Sequence, residues 1–304
     1  MAYYGETECQ ASVKSGDPCR NKAYYFQNDR VLCGRHSKKE LRVELQKNPH
    51  AAEQKKDKLV EERRQIEAAA SENRSRGQRG QVIVTPLRMM KAPKDHLGYL
   101  KVFPNFKHGN RSDGYGCPAL SPMSLGPVTH LMPNLPPAKN IENFHQFAKV
   151  FPFEVDAQGQ LLPQVISHRV AAYNDPVAHR HKYDREVVKQ YKPLYSVYYD
   201  SQEQEHRFSY IGSRYFYCKK YEELASRTHE LECLRDLLAA GYNLQIVGYD
   251  GYPVMRTLLE HYVDESLPFG HELVLYTLLT ASPETYPWNQ VYQVNEALYK
   301  GVGI

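Results

Sequence analysis

The sequence predicts an α+β or α/β main domain preceded by a small N-terminal Cys3His zinc finger and a charged helical connector. Three observations predict it. Cys9, Cys19, Cys33 and His36 fall within one short polar stretch, CQASVKSGDPCRNKAYYFQNDRVLCGRH. Residues 37–80 are dense in charge and poor in large apolar side chains. From Gln81 onward, strand-like apolar runs alternate with segments of helical period. The expected boundaries are 1–40 for the finger, 41–80 for the connector and 81–304 for the main domain.

The finger rests on the spacing C-x9-C-x13-C-x2-H. Three thiolates and an imidazole complete a tetrahedral Zn²⁺ shell of the structural kind, with no position left for water. Gly16-Asp17-Pro18 forms a turn before Cys19. Ala23 to Cys33 reads as a short hairpin. A segment this short builds no core of its own, so a metal staple is expected. Cys117, Cys218 and Cys233 are scattered, with Cys218 and Cys233 read as core thiols. The finger resembles the C-x9-C…C-x2-H fingers of plant WRC-type modules and of small viral and bacterial finger domains. There the finger is often tied to nucleic acid.

No apolar run approaches the ~18 residues of a membrane span. The opening MAYYGETECQ has no basic or apolar signal-peptide region. An intracellular protein, neither secreted nor transmembrane, with reduced cysteines is expected. Charge is uneven. Residues 1–80 hold 17 Lys and Arg against 12 Asp and Glu, a net of +5, while residues 81–304 hold 22 against 23, a net of −1. The excess in the first 80 residues points to nucleic acid or nucleoprotein as a partner for that part of the chain.

The connector reads as a helix over Ala51 to Asn73, with Leu59, Val60 and Ile66 as its only large apolar residues. That stripe suits a solvated spacer. The alternative is a phosphate-binding basic tail using Arg74, Arg76 and Arg79.

In the main domain, Val82 to Val84 and Gly98 to Phe103 read as strands. The Gly-, Pro- and Ser-rich run from Gly109 to Pro137 reads equally as a binding loop or an irregular surface loop. Asn140 then caps a helix over Ile141 to Phe151. Ile141, Phe144, Phe147, Ala148 and Phe151 form its apolar face, and Glu142, Gln146 and Lys149 stack opposite at i,i+4 and i,i+3. Composition alone makes that second stripe an ordinary wet face. His168, His179 and His181 read as a solvated basic loop.

Further on, strands are expected at Arg207 to Ile211 and Arg214 to Cys218, a helix at Tyr221 to Ala240, and a buried strand at Asn243 to Tyr249. This β-α-β unit implies parallel strands and places Asp250 at a carboxyl end, where ligands bind. Arg214 and Asp250 are therefore candidate substrate-binding residues. Two helices close the pattern, Val254 to Val263 and Phe269 to Thr280, with Glu272 read as a carboxylate favoured by a helix N-terminus. His271-Glu272 lacks the second His of a zincin, and no P-loop, GxGxxG or GxSxG occurs.

The spacing Glu142-x-Phe144-x-Gln146-x-x-Lys149 resembles the E-x-[YF]-x-Q-x-x-K helix of the NADAR family. Those proteins are α+β N-glycosidases acting on ADP-ribosylated nucleobases or related ribosides. The resemblance implies that Glu142 polarises or deprotonates at the ribose carbon, that Lys149 is an electrophilic stabiliser or amine nucleophile, and that Gln146 orients the substrate. It also implies an ADP-ribose-like ligand. The segments LCGRHSKK, KVFPNFKHGNRSDG and LPPAKNIENFHQFAKVFPFEVD are similar to uncharacterised proteins of large DNA viruses. The expected function is thus a NADAR-like N-glycosidase brought to nucleic acid by its finger. The alternative is a non-catalytic viral nucleic-acid-binding or virion-associated protein.

Overall fold

A computed structural model describes residues 2–88, 92–179 and 192–294. The chain divides into two units, Met1–Arg63 and Arg64–Ile304, so the division falls within the connector. Among the described residues no helix is long and apolar enough to cross a membrane.

In the first unit, β1 (Tyr25–Gln27), β2 (Arg30–Leu32) and β3 (Val43–Glu44) form an antiparallel sheet in the order β2-β1-β3. Asn28 and Asp29 take φ of 49° and 59°, the left-handed pair that a two-residue hairpin turn demands. Its small core is Cys9, Cys19, Leu32 and Cys33. The connector helix α1 runs Ala51–Ser75.

The second unit continues with β4 (Val82–Pro86), β5 (Tyr99–Phe103), β6 (Tyr115–Gly116), α2 (Ile141–Ala148), β7 (Lys149–Val150), α3 (Pro163–Asn174), β8 (Tyr195–Tyr199) and β9 (Glu205–Phe208). It ends with α4 (Tyr210–Ala225), α5 (His229–Ala239), β10 (Asn243–Gly248), α6 (Leu258–Val263), α7 (His271–Thr280) and α8 (Pro287–Val294). The protein is therefore α+β. One sheet is parallel, in the order β4-β10-β5-β6, and a second, β7-β8-β9, is antiparallel. Leu244 to Gly248 of β10 are all buried, as a central parallel strand covered on both faces requires. Leu231, Leu234 and Leu238 of α5 and Leu273, Val274 and Leu278 of α7 fill the core beside it.

The end of the connector is packed, not free. Ala70 is fully buried, and Asn73 Nδ2 donates to Gly241 O at 2.8 Å. Arg74 donates to Ala240 O and Arg79 to Leu279 O, while Arg76 pairs with Glu72. The three arginines of the alternative, phosphate-binding reading thus have intramolecular partners.

The expected strand at Arg214 to Cys218 is a helix. Ser209 caps α4 by accepting from Gly212 N, and Ile211, Arg214, Cys218, Tyr221 and Ala225 form its buried stripe. Steps of 3 and 4 outweigh the β-propensity of the run RYFYC. The long helix expected at Tyr221 to Ala240 is broken at Thr228, which caps α5. Parallel strands do form, but β10 pairs with β4 and β5 instead of the expected neighbour. α2 stops at Ala148 because Lys149 and Val150 leave the helix to pair with Ser196 and Tyr195 of β8. The Gly109 to Pro137 run is not a surface loop throughout: Leu120, Leu125, Val128 and Met132 are buried in the core.

Candidate functional site

The first unit holds the cysteine cluster. The ligand atoms of Cys9, Cys19, Cys33 and His36 all lie within 4.8 Å of one another. Cys9 Sγ and Cys33 Sγ are each 3.4 Å from His36 Nδ1. A tetrahedral ion with metal–sulfur bonds of about 2.3 Å and metal–nitrogen bonds of about 2.0 Å sets such edges at about 3.5 Å. Two donor pairs stand at that spacing, and the four donors lie close enough together to serve one metal ion, with the three cysteines buried. Burial pushes the Cys33 thiol up, but the amides of Arg35 and His36 and the side chains of Cys9 and Asn21 outweigh it and bring it to about 7. The thiolate that a metal needs is favoured there.

The second unit holds a cleft of about 350 Å³ at the carboxyl end of β10. One wall is the polar stripe of α2: Glu142, His145 and Gln146, with Lys149 just past the helix end. Asn140 fixes this helix start by accepting from Asn143 N at 2.8 Å. Buried Asn143 donates to three carbonyls, Ala172, Asp175 and Val177, which locks the helix to the end of α3 and the segment after it. The facing wall is α4, through Tyr210, Arg214 and Tyr217, and the floor is Asp250 with Phe269 and Gly270. All five residues singled out for substrate chemistry, Glu142, Gln146, Lys149, Arg214 and Asp250, line this one cleft.

Their hydrogen bonds define roles. Lys149 Nζ donates to Gln146 Oε1 at 3.2 Å, and Gln146 Nε2 donates to Glu142 Oε1 at 3.0 Å. An ammonium only donates, so the amide oxygen faces Lys149 and the amide nitrogen faces Glu142. Arg214 is differently engaged from a free phosphate ligand. It is 3% exposed, and its guanidinium donates to the carbonyls of Tyr262, Asp264 and Leu267. It clamps the loop that forms the cleft rim, while its buried Nε has no protein partner among the described residues.

Several cleft residues escaped the sequence reading. His145 sits three residues after Glu142 on the same helix, a spacing that carried the signal. Burial, and then Lys149, hold its imidazole well below the usual histidine range, so it is neutral at neutral pH. Its Nδ1 is buried without a hydrogen-bond partner among the described residues. Tyr217 lies edge-on to it, with ring centroids 5.0 Å apart. Burial, and then Glu142, Tyr221 and Glu272, push the Tyr217 hydroxyl well above its ordinary range, so it is a protonated donor.

Glu272, expected as a bland helix-end carboxylate, is completely buried. Its Oε1 accepts from Asp250 N at 3.4 Å, and its Oε2 lies 3.3 Å from His271 Nδ1. A side chain on Gly248 would meet Glu272 Oε1 at 1.8 Å, so glycine is required there. Outside the cleft, His179 pairs with Asp175 at 2.6 Å, and His181 lies outside the described residues.

Comparison of this chain with protein-family models, with curated proteins and with solved structures found no match.

Proposed function

We propose that the cleft is an N-glycosidase site of the NADAR kind, acting on ADP-ribosylated nucleobases or related ribosides. The observation that carries this reading is the meeting of Glu142, Gln146, Lys149 and Asp250 in one 350 Å³ cleft at a strand's carboxyl end. Cleavage of a ribosyl C1′–N bond passes through a carbon of oxocarbenium character, which a carboxylate stabilises. Glu142 supplies that charge and takes one proton from the attacking water. The water oxygen bonds C1′ as the C1′–N bond breaks. The departing nitrogen keeps the bond's electron pair and receives a proton from Lys149, so one proton is taken up and one is delivered. Asp250 accepts from ribose hydroxyls. Neutral His145 and the Tyr217 phenol offer further hydrogen bonds without adding charge.

The cysteine cluster is proposed to hold structural Zn²⁺, because three thiolates and one imidazole gathered within 4.8 Å of one another suit that ion. The finger exposes Lys14, Arg20, Lys22, Lys38 and Lys39, together with Phe26 at 43%. This surface is proposed to carry the enzyme to nucleic acid. The test of the catalytic reading is chromatographic detection of free ADP-ribose, and of the restored oligonucleotide, from an ADP-ribosylated oligonucleotide. Release by the wild type and its loss in Glu142→Gln support it. Equal release by both proteins removes Glu142 from the chemistry.

A further inference from the structure

A second cavity of about 450 Å³ adjoins the cleft, and two side chains, Lys149 and Tyr210, line both. The strand register explains the shared wall. Lys149 pairs opposite Ser196 on β8, and the approach to β8 brings Lys192 and Tyr195 into the second cavity. A ligand filling both is a two-part molecule crossing the Lys149–Tyr210 divide.

The two compartments differ in chemistry. The first presents the carboxylates of Glu142 and Asp250, with Glu272 buried behind Gly248 and Gly270. Its one guanidinium, Arg214, is held by three carbonyls. Hydroxyl donors such as a ribose suit the two carboxylates, which there balance Lys149 and the carbonyl-held Arg214. In the second compartment Lys192 joins Lys149, against the single carboxylate of Glu265. Ser213 and Ser266 donate to Tyr210 O and Asp264 Oδ1, while the lysines, Ser196 and the buried Tyr195 hydroxyl, which has no hydrogen-bond partner among the described residues, are further side-chain donors of the lining. The Tyr195 and Tyr210 rings stand beside them, and each carries a guanidinium on its face, at 4.6 Å.

We infer that this second cavity binds the phosphate-bearing half of a two-part substrate whose ribose occupies the first, and that Lys192 selects phosphorylated ribosides over bare nucleosides. The inference rests on the riboside reading of the cleft. Calorimetric titration of the full, metal-loaded chain with pyrophosphate, ADP, ADP-ribose and adenosine tests it.

ADP and ADP-ribose are expected to bind at least about tenfold more tightly than adenosine, because charge-assisted hydrogen bonds are lost with the phosphates. Lys192→Glu should weaken ADP and pyrophosphate on the order of ten- to hundredfold, leaving adenosine binding and thermal stability unchanged. Adenosine binding as tightly as ADP, or ADP binding indifferent to Lys192→Glu, overturns the inference. The two readings fail separately. ADP-ribose release that depends on Glu142 but not on Lys192 leaves the glycosidase and removes the phosphate compartment. Lys192-dependent ADP binding without ADP-ribose release does the reverse.

Discussion

Lys149 and Glu142 stand at the two ends of a hydrogen-bonded relay through Gln146, 3.2 Å on the lysine side and 3.0 Å on the carboxylate side. The relay runs across a helix end: Glu142 and Gln146 belong to α2, and Lys149 is the first residue of β7. Its polarity follows from the lysine, which has no acceptor. Gln146 is thereby oriented to donate to Glu142, which must accept.

Replacing Gln146 by leucine breaks the relay while keeping the side chain's approximate size. Glu142 then loses its donor and Lys149 an acceptor. We expect kcat/KM for ADP-ribose release to fall about a hundredfold, as misorientation of a catalytic group typically costs, with the circular dichroism spectrum unchanged. A variant with wild-type kcat/KM would show that the relay does not orient the carboxylate.

Acid should weaken the second unit through buried histidines. Burial lowers His145, with Lys149 adding to the effect, and burial also lowers His130, His108 and His261. The unfolded chain binds these protons below about pH 6.5, and the folded chain resists them. Their contribution is therefore fully present above about pH 6.5 and is lost as the pH falls from there toward the depressed folded values. Urea midpoints should drop between pH 7 and pH 5, with a shallower drop in His145→Asn. Parallel profiles for the two proteins would exclude His145 as a source.

The metal should be needed for the first unit. Elemental analysis should find one zinc per chain, and Cys19→Ser should lose it. Chelation should unfold residues 1–63, because their buried cluster consists of little beyond the ligands themselves. Limited proteolysis before and after chelation reads this directly. Resistance of the chelated first unit would show that the sheet holds without metal.

Tyr221 ties α4 to the Pro-rich run, its buried hydroxyl donating to Leu120 O at 2.6 Å. Tyr221→Phe leaves that carbonyl without its donor and should lower unfolding free energy by about 1–3 kcal/mol. Leu234→Ala, in a fully buried position of α5, should cost about 2–5 kcal/mol. Denaturant titration measures both. A neutral Tyr221→Phe would mean that the carbonyl finds another partner.

Much of the site was legible because its spacing is local. Cys33 and His36, and the Glu142, Gln146 and Lys149 stripe, are set by short-range geometry that a sequence displays. Asp250 was legible as the residue after a continuous apolar strand. What joins these parts was not. Arg214 entered as part of an apparent strand, since tyrosine, phenylalanine and cysteine around it favour extended chain. Only the buried steps from Ile211 to Ala225 reveal the helix that brings Arg214 opposite α2. Glu272 escaped because its burial depends on Gly248, 24 residues earlier and on a different element. His145 escaped because its depressed basicity comes first from burial, which the sequence does not display, with Lys149 only adding to it.

The most direct measurement is single-turnover release of ADP-ribose from an ADP-ribosylated oligonucleotide in ¹⁸O-labelled water, for wild type and Glu142→Gln. The account predicts free ADP-ribose carrying one ¹⁸O at the ribose C1′ from the wild type, and a rate at least about a hundredfold lower in the variant. No ADP-ribose released by the wild type, or the same rate in both proteins, would contradict it.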